Sequence, residues 1–230
     1  MKLYRSMKNF SLLAILLFLV ACKSEYKPMD IKQEEETTIL PYYQEASFTP
    51  SWFDEENVLP SDFHKIPEFS LTNHLGETIT EETVQGKIYV VDFFFASCSG
   101  ICPKLTSNMA IVQDAFLKDE DVLLLSHSVT PTLDTVRALK AFSKTYGVID
   151  GKWHLLTGDR DLIYDLGRNY YFVEEDLGLE KNPDEFIHTE NMVLIDQDGY
   201  IRGIYNGLNK TSINQLIEDI NTLKNSSAHS

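Results

Sequence analysis

Cysteine is scarce in this chain. Among 230 residues there are three, Cys22, Cys98 and Cys102, so the Cys98/Cys102 pair carries whatever sulfur chemistry the folded part has. Positive charge is scarce too. Twenty Lys and Arg face 35 Asp and Glu, for a net charge of −15. That balance excludes a nucleic-acid backbone as partner, and it excludes electrostatic adhesion to anionic lipid. An acidic surface of this kind serves solubility. Long apolar runs are missing beyond the start of the chain, and Phe10 to Val20 is short for a membrane span. There is no repeat at solenoid spacing. The carboxylates Glu174-Glu175-Asp176 and Asp184-Glu185 do not have the spacing of a helix-loop-helix calcium loop and read as a solvated loop.

What is present begins with a basic start (Lys2, Arg5, Lys8), an apolar stretch and Leu19-Val20-Ala21-Cys22. Small residues before a cysteine in that setting resemble the bacterial lipobox, which implies a lipoprotein signal peptide over residues 1–22 and lipidation of Cys22. The plainer reading is an uncleaved anchor helix with an incidental cysteine. Either way the expectation is a membrane-anchored protein of the bacterial cell envelope, with its domain in the periplasm, where disulfides persist. Removing residues 1–22 takes away three basic residues and no acidic ones, which deepens the charge to −18.

Residues 23–60 are rich in Glu, Lys, Thr, Pro and Tyr without a clean period and read as a linker, partly ordered near Trp52-Phe53. Residues 61–226 are one domain's worth of chain, and 227–230 are a tail. In the domain, Phe69–Thr72 and Thr78–Thr80 flank a turn and predict a hairpin. Strands are predicted over Lys87–Ala96, Val122–Val129 and Trp153–Leu156. Helices are predicted over Pro103–Leu117, Asp134–Tyr146 and Asp159–Tyr170, the last two starting at acidic caps. Met192–Ile195 and Ile201–Tyr205 form a hairpin about Asp198-Gly199, and Thr211–Leu223 is the last helix. The pattern predicts an α/β fold with a mixed central sheet flanked by helices, an N-terminal hairpin and an insertion before the last β-hairpin.

Cys98-Ser99-Gly100-Ile101-Cys102-Pro103 follows the apolar run Ile88–Phe95 directly. Two thiols therefore sit where a strand hands over to a helix N-terminus, and free N–H groups and the helix dipole there favour thiolate. A cysteine pair at the end of the first main strand is the thioredoxin-like arrangement, but thioredoxin-type enzymes keep two residues between the cysteines and here there are three. The wider bite suits one metal ion between two sulfurs, and soft thiolates with one imidazole suit copper, as Cu(I) or Cu(II). A structural disulfide is the plain alternative, but it would close a very small loop with little gain in stability. Of the histidines, His188 precedes the Met192 strand, where the loop of a thioredoxin-like fold lies against the cysteines. On local sequence alone it reads as an ordinary loop histidine. His64, His74, His127, His154 and His229 read as structural or surface residues. Met109 reads as core, and so does Met192, whose thioether lies near enough the site to visit copper.

With these pieces the chain resembles the Sco/SenC family of copper-binding assembly proteins. The match lies in Asp92–Pro103, Ser128-Val129 with Asp134-Thr135, Leu139-Lys140 to Tyr146-Gly147, Trp153–Gly158, and His188-Thr189 before Met192–Gly199. The resemblance spans about residues 66–222. It implies copper ligands at Cys98, Cys102 and His188, and copper delivery to, or disulfide reduction at, the binuclear copper site in subunit II of cytochrome c oxidase. One departure is Thr130, which stands where the family usually has aspartate, in Ser128-Val129-Thr130-Pro131, with Asp134 and His127 the candidates to compensate.

Four functions follow from these residues. The first is a copper metallochaperone, which binds and transfers rather than turns over a small molecule. The second is a thiol–disulfide oxidoreductase acting on a partner's cysteines, which uses the redox pair Cys98/Cys102 and has no need of His188. A peroxiredoxin-like peroxidase ranks last, because Arg137 and Arg160 belong to no recognisable peroxide motif. A copper sensor or store without an oxidase partner is the fourth.

Overall fold

The structure, a computed structural model, describes residues 39–54, 56–174 and 189–227. Its elements run β1 (Ser70–Asn73), β2 (Thr78–Thr80), the short helix α1 (Glu81–Val84), β3 (Ile88–Phe94), α2 (Cys102–Ala115), β4 (Val122–Ser128), α3 (Val136–Tyr146), β5 (Trp153–Thr157), α4 (Arg160–Asp165), a π-helical turn (Leu166–Tyr170), β6 (Asn191–Ile195), β7 (Ile201–Asn206) and α5 (Lys210–Ser227). The seven strands form one sheet in the order β2-β1-β5-β4-β3-β6-β7.

The residues dictate this order. Every residue of β3, β4 and β5 is buried, as parallel strands covered on both faces must be. β3 pairs parallel with β4, and β4 with β5, through the helical crossovers α2 and α3. β1 and β6 flank this parallel core antiparallel, on β5 and β3 respectively. On one face Val90, Phe94, Leu124 and Leu155 meet Leu105, Met109 and Val112 of α2, Leu139 and Phe142 of α3, and Ile213, Leu216 and Ile220 of α5. On the other, Val91, Phe93, Leu125 and Leu156 meet Ile163, Tyr164 and Tyr171. Each fully buried Leu, Met or Val contributes about 2 kcal/mol through burial. The thioredoxin-like prediction and its N-terminal hairpin are observed. The insertion over 175–188 lies outside the described residues.

Several boundaries differ from the sequence reading for local reasons. The helix expected from Asp134 starts at Val136, and its cap is Thr135, whose hydroxyl accepts from Ala138 N. Asp134 is turned inward instead. The helix expected over Asp159–Tyr170 is α-helical only to Asp165 and then widens, with Tyr171 N donating to Leu166 O at 2.7 Å. That extra residue per turn places Tyr171 fully inside. α2 begins at Cys102, with Pro103 its second residue, so the thiol itself occupies the first helical position.

Part of the stretch expected as linker packs on the domain. Leu40 is buried, Tyr43 bridges Ile201, and the Arg202 guanidinium donates to the carbonyls of Leu40 and Pro41 while lying over the Tyr42 ring at 3.7 Å. Among the described residues no helix is long and apolar enough to cross a membrane.

Candidate metal and thiol site

The site forms where β3 ends. Cys98 N donates to Phe95 O at 3.2 Å, which turns the chain out of the sheet, and Lys104 N and Leu105 N both return to Ile101 O at 3.0 Å to open α2. Cys98 is half-buried, Cys102 is 5% exposed, and both are free thiols. Burial works to raise the Cys98 thiol. Hydrogen bonds from the Cys102 thiol and from the backbone N–H groups of Cys102, Gly100 and Ile101 outweigh it and hold Cys98 below its ordinary value. Cys102 goes the other way. Its burial and its hydrogen bond to Cys98 push it up, and the nearby Asp92 charge adds to this. One thiol is thus poised to ionise and the other is held protonated.

A cavity of about 420 Å³ opens over the pair, lined by Phe93, Phe94 and Phe95, the loop from Ser97 to Cys102, Val129 and Thr189. The three phenylalanines keep one side dry. Thr189 arrives because β6 runs antiparallel to β3, Val193 opposite Val91, which brings the entry of β6 beside the exit of β3. Its hydroxyl donates to Val173 O at 2.6 Å and accepts from Asn191 N at 3.0 Å, and Asn191 Nδ2 also donates to Val173 O at 3.0 Å. The two described ends of the insertion are therefore clamped together at the cavity.

His188, the expected third ligand, lies outside the described residues, as do Cys22 and His229. Among the described residues no group of three or more His, Cys, Asp or Glu side chains gathers as a metal site. Among the described residues that line the cavity, the two sulfurs are the soft donors. The other histidines are structural. His74 is fully buried and bridges Asp150 at 3.0 Å while accepting from Leu155 N, and His154 is buried against Asn73, so neither is a surface residue. His64 bonds Tyr170 O and packs on Phe172. His127 is fully buried and stacks on Phe93 at 4.9 Å. Burial lowers it to about 3, the Asp92 backbone working weakly against this. Met109 and Met192 are core, fully buried. Neither Arg137 nor Arg160 lines the cavity, so the peroxide reading gains nothing.

Two buried acids, Asp92 and Asp134, stand beside the site. Asp92 sits mid-strand, 1% exposed, accepting from the Ser126 hydroxyl, which in turn accepts from Trp153 Nε1 at 2.8 Å. Burial raises its carboxyl to about 7, against the hydrogen bond from Ser126. A carboxylate inside the apolar run Ile88–Phe95 was the available signal. Asp134, 2% exposed, gathers the Ser128 and Thr130 hydroxyls at 2.6 and 3.0 Å. Thr130 is thereby tied to a carboxylate four residues on.

Known proteins share this frame. The SCO1/SenC family model matches residues 59–225. The SCO1/SenC family lipoprotein of Bacillus anthracis is 30% identical, with a TM-score of 0.61 over 70% of this chain and 95% of that one. BsSco, described as having a disulfide switch and as a member of the Sco family of cytochrome c oxidase assembly proteins, is 26% identical, with a TM-score of 0.60 over 72% of this chain and 96% of its own. A protein of Stutzerimonas stutzeri named for copper binding is 28% identical over 65% of this chain and 74% of that protein. The match of the family model to most of the chain, on a sheet that delivers both cysteines to one dry cavity, makes this protein a member of the SCO1/SenC family.

Proposed function

We propose that the protein binds one copper ion through Cys98, Cys102 and His188 and hands it to the binuclear copper site in subunit II of cytochrome c oxidase. In this reading it works from the cell envelope, anchored by lipid on Cys22, with residues 61–226 as the working domain. The observation that carries the reading is that Thr189, next in sequence to His188, lines the same cavity as both free thiols. Two thiolates and one imidazole make a donor set that suits Cu(I) and also holds Cu(II). Kinship to a protein named for copper binding and to an oxidase assembly protein agrees with that cargo. Titration of the reduced protein with Cu(I) and Cu(II) tests it. One copper per chain is expected, and His188→Ala should weaken Cu(II) by about a hundredfold, the upper end of what even indirect supporting partners of metal ligands are worth. Unchanged Cu(II) affinity in that variant overturns the ligand set.

A second reading rests on the split between the thiols. A low Cys98 and a high Cys102 suit attack on a partner's disulfide by Cys98, followed by resolution by Cys102. It leaves disulfide reduction intact in His188→Ala.

A further inference from the structure

Beside the thiol cavity runs a second hollow of about 660 Å³. Ala96 and Ser97 form one wall. Leu133 and, from α3, Ala138, Ala141 and Phe142 form the other. Ser97 lines both hollows, so they meet at the residue before Cys98. Exposed aliphatic side chains stand at both ends of this track, Ile101 at 40% and Leu133 at 67% exposure. Two hollows joined at Ser97, the second walled by Ala96, Ala138, Ala141 and Phe142, have the shape of a cleft for an extended chain.

The two segments that wall it carry basic residues and little acid. The protein has 35 acidic residues. Yet between Asp92 and Asp114 the only charged residue is Lys104, and α3 holds Arg137, Lys140 and Lys144 with no acid. The single carboxylate of the groove, Asp134, is buried and occupied by the Ser128 and Thr130 hydroxyls. Lys140 pairs with Asp150 at 3.6 Å. Arg137 and Lys144 are exposed, lie one helical turn to either side of Ala141, and have no ion pair among the described residues.

We infer that this groove docks the cysteine-bearing segment of the partner protein, and that the segment is extended, apolar at the centre and acidic at its flanks. The inference rests on the proposed exchange at Cys98 and names the chemistry of the molecule on the other side. Apolar side chains would fill the space between Ala96 and Phe142, while carboxylates meet Arg137 and Lys144. A mostly acidic protein would then draw an acidic partner to this face and repel it over its acidic surface, which favours one docking orientation.

The test separates docking from chemistry. A short synthetic peptide with Leu and Phe flanking a central Ser, and Glu at both ends, is titrated into the full chain. A twin carries Lys for every Glu. Serine replaces cysteine, so no exchange occurs. Binding is read from the amide resonances of Ser97, Ala138, Ala141 and Tyr146. The Glu peptide should shift these four and weaken by about tenfold in the double variant Arg137→Glu/Lys144→Glu, the Lys peptide gaining instead. Equal affinity for both peptides, no binding, or indifference to the double variant overturns the inference. So does a large gain in affinity for the Glu peptide on changing Glu34, Glu35 and Glu36 to Gln, because the groove's occupant would then be the chain's own acidic stretch. Copper titration is run on the same samples. Lost peptide discrimination with copper binding intact sinks the docking alone, and the reverse sinks only the metal reading.

Discussion

The carboxylate of Asp134 accepts a hydrogen bond from the backbone N–H of Ala96 at 3.0 Å. The same oxygen takes the Ser128 and Thr130 hydroxyls, so one side chain ties the loop that carries Cys98 to the exit of β4. Removing it leaves two hydroxyls and one N–H to find new partners. Asp134→Ala should therefore cost about 2–3 kcal/mol, read as the urea midpoint. Asp134→Asn keeps an acceptor and should cost about half as much. If the network also sets the loop, the Cys98 thiolate absorbance at 240 nm will titrate at a higher pH in the alanine variant, with the asparagine variant restoring it. An unchanged titration would reduce Asp134 to a purely structural role.

The two thiols should differ in rate. Cys98 is half-exposed and held low by N–H groups at the helix start, while Cys102 is buried and held high. At neutral pH, iodoacetamide followed by mass spectrometry should modify Cys98 at least about tenfold faster than Cys102, because the thiolate is the reacting form. Cys98→Ser should leave Cys102 still slow to react with the reagent. Comparable labelling of both sulfurs would contradict the assigned asymmetry.

Stability against pH should show two opposed windows. His127 is held at about 3 by burial, against an ordinary 6.5. Between those values the unfolded chain takes up a proton that the fold refuses, so stability rises as pH climbs from about 3 to 6.5. Asp92 is held at about 7, against an ordinary 3.8. Between those values the fold keeps a proton that the unfolded chain gives up, so stability falls as pH climbs from about 4 to 7. Each window is worth about 4–5 kcal/mol at most, and they nearly cancel where they overlap. Urea midpoints of the parent should thus be flat from about pH 4 to 6.5 as far as these two groups go. Asp92→Asn should expose the rise from His127, and His127→Gln should expose the fall from Asp92. Parallel pH profiles in all three proteins would refute the pairing.

Much of the frame could be read from the residues, and the reasons are particular. Continuous apolar runs such as Leu123–Leu125 announce buried parallel strands, and the cysteine spacing after Phe95 announces the site. The register of β6 on β3, which brings Thr189 to the cavity, is a long-range pairing that no local pattern encodes. Asp134 reads as a cap because an acid before a helix is a good one, yet the Ser128 and Thr130 hydroxyls hold its carboxylate inside and Thr135 caps the helix. His74 and His154 hid for a similar reason, since burial with Asp150 and Asn73 is a tertiary property.

Gly207 is a tight point behind the site. Its N–H donates to Glu190 O at 2.7 Å and its carbonyl accepts from Asn108 Nδ2 of α2 at 2.6 Å, so it joins the entry of β6 to the helix that begins with Cys102. A Cβ there would lie 2.3 Å from Leu105 Cδ1 and 2.8 Å from Glu190 O. The leucine end can swing but is fully buried, and the carbonyl is backbone, so something must move. Gly207→Ala should cost about 1–3 kcal/mol, as overpacking of a filled interior does. Leu105→Ala alone should cost about 2–5 kcal/mol through the cavity it leaves. Together they should cost less than their sum by at least about 0.5 kcal/mol, because the new methyl enters space that the leucine vacates. The remaining clash with Glu190 O predicts that the double variant still disturbs Thr189, seen as altered amide shifts at Thr189 and Cys98. Strict additivity in urea melts would mean that the methyl added at Gly207 meets something other than Leu105.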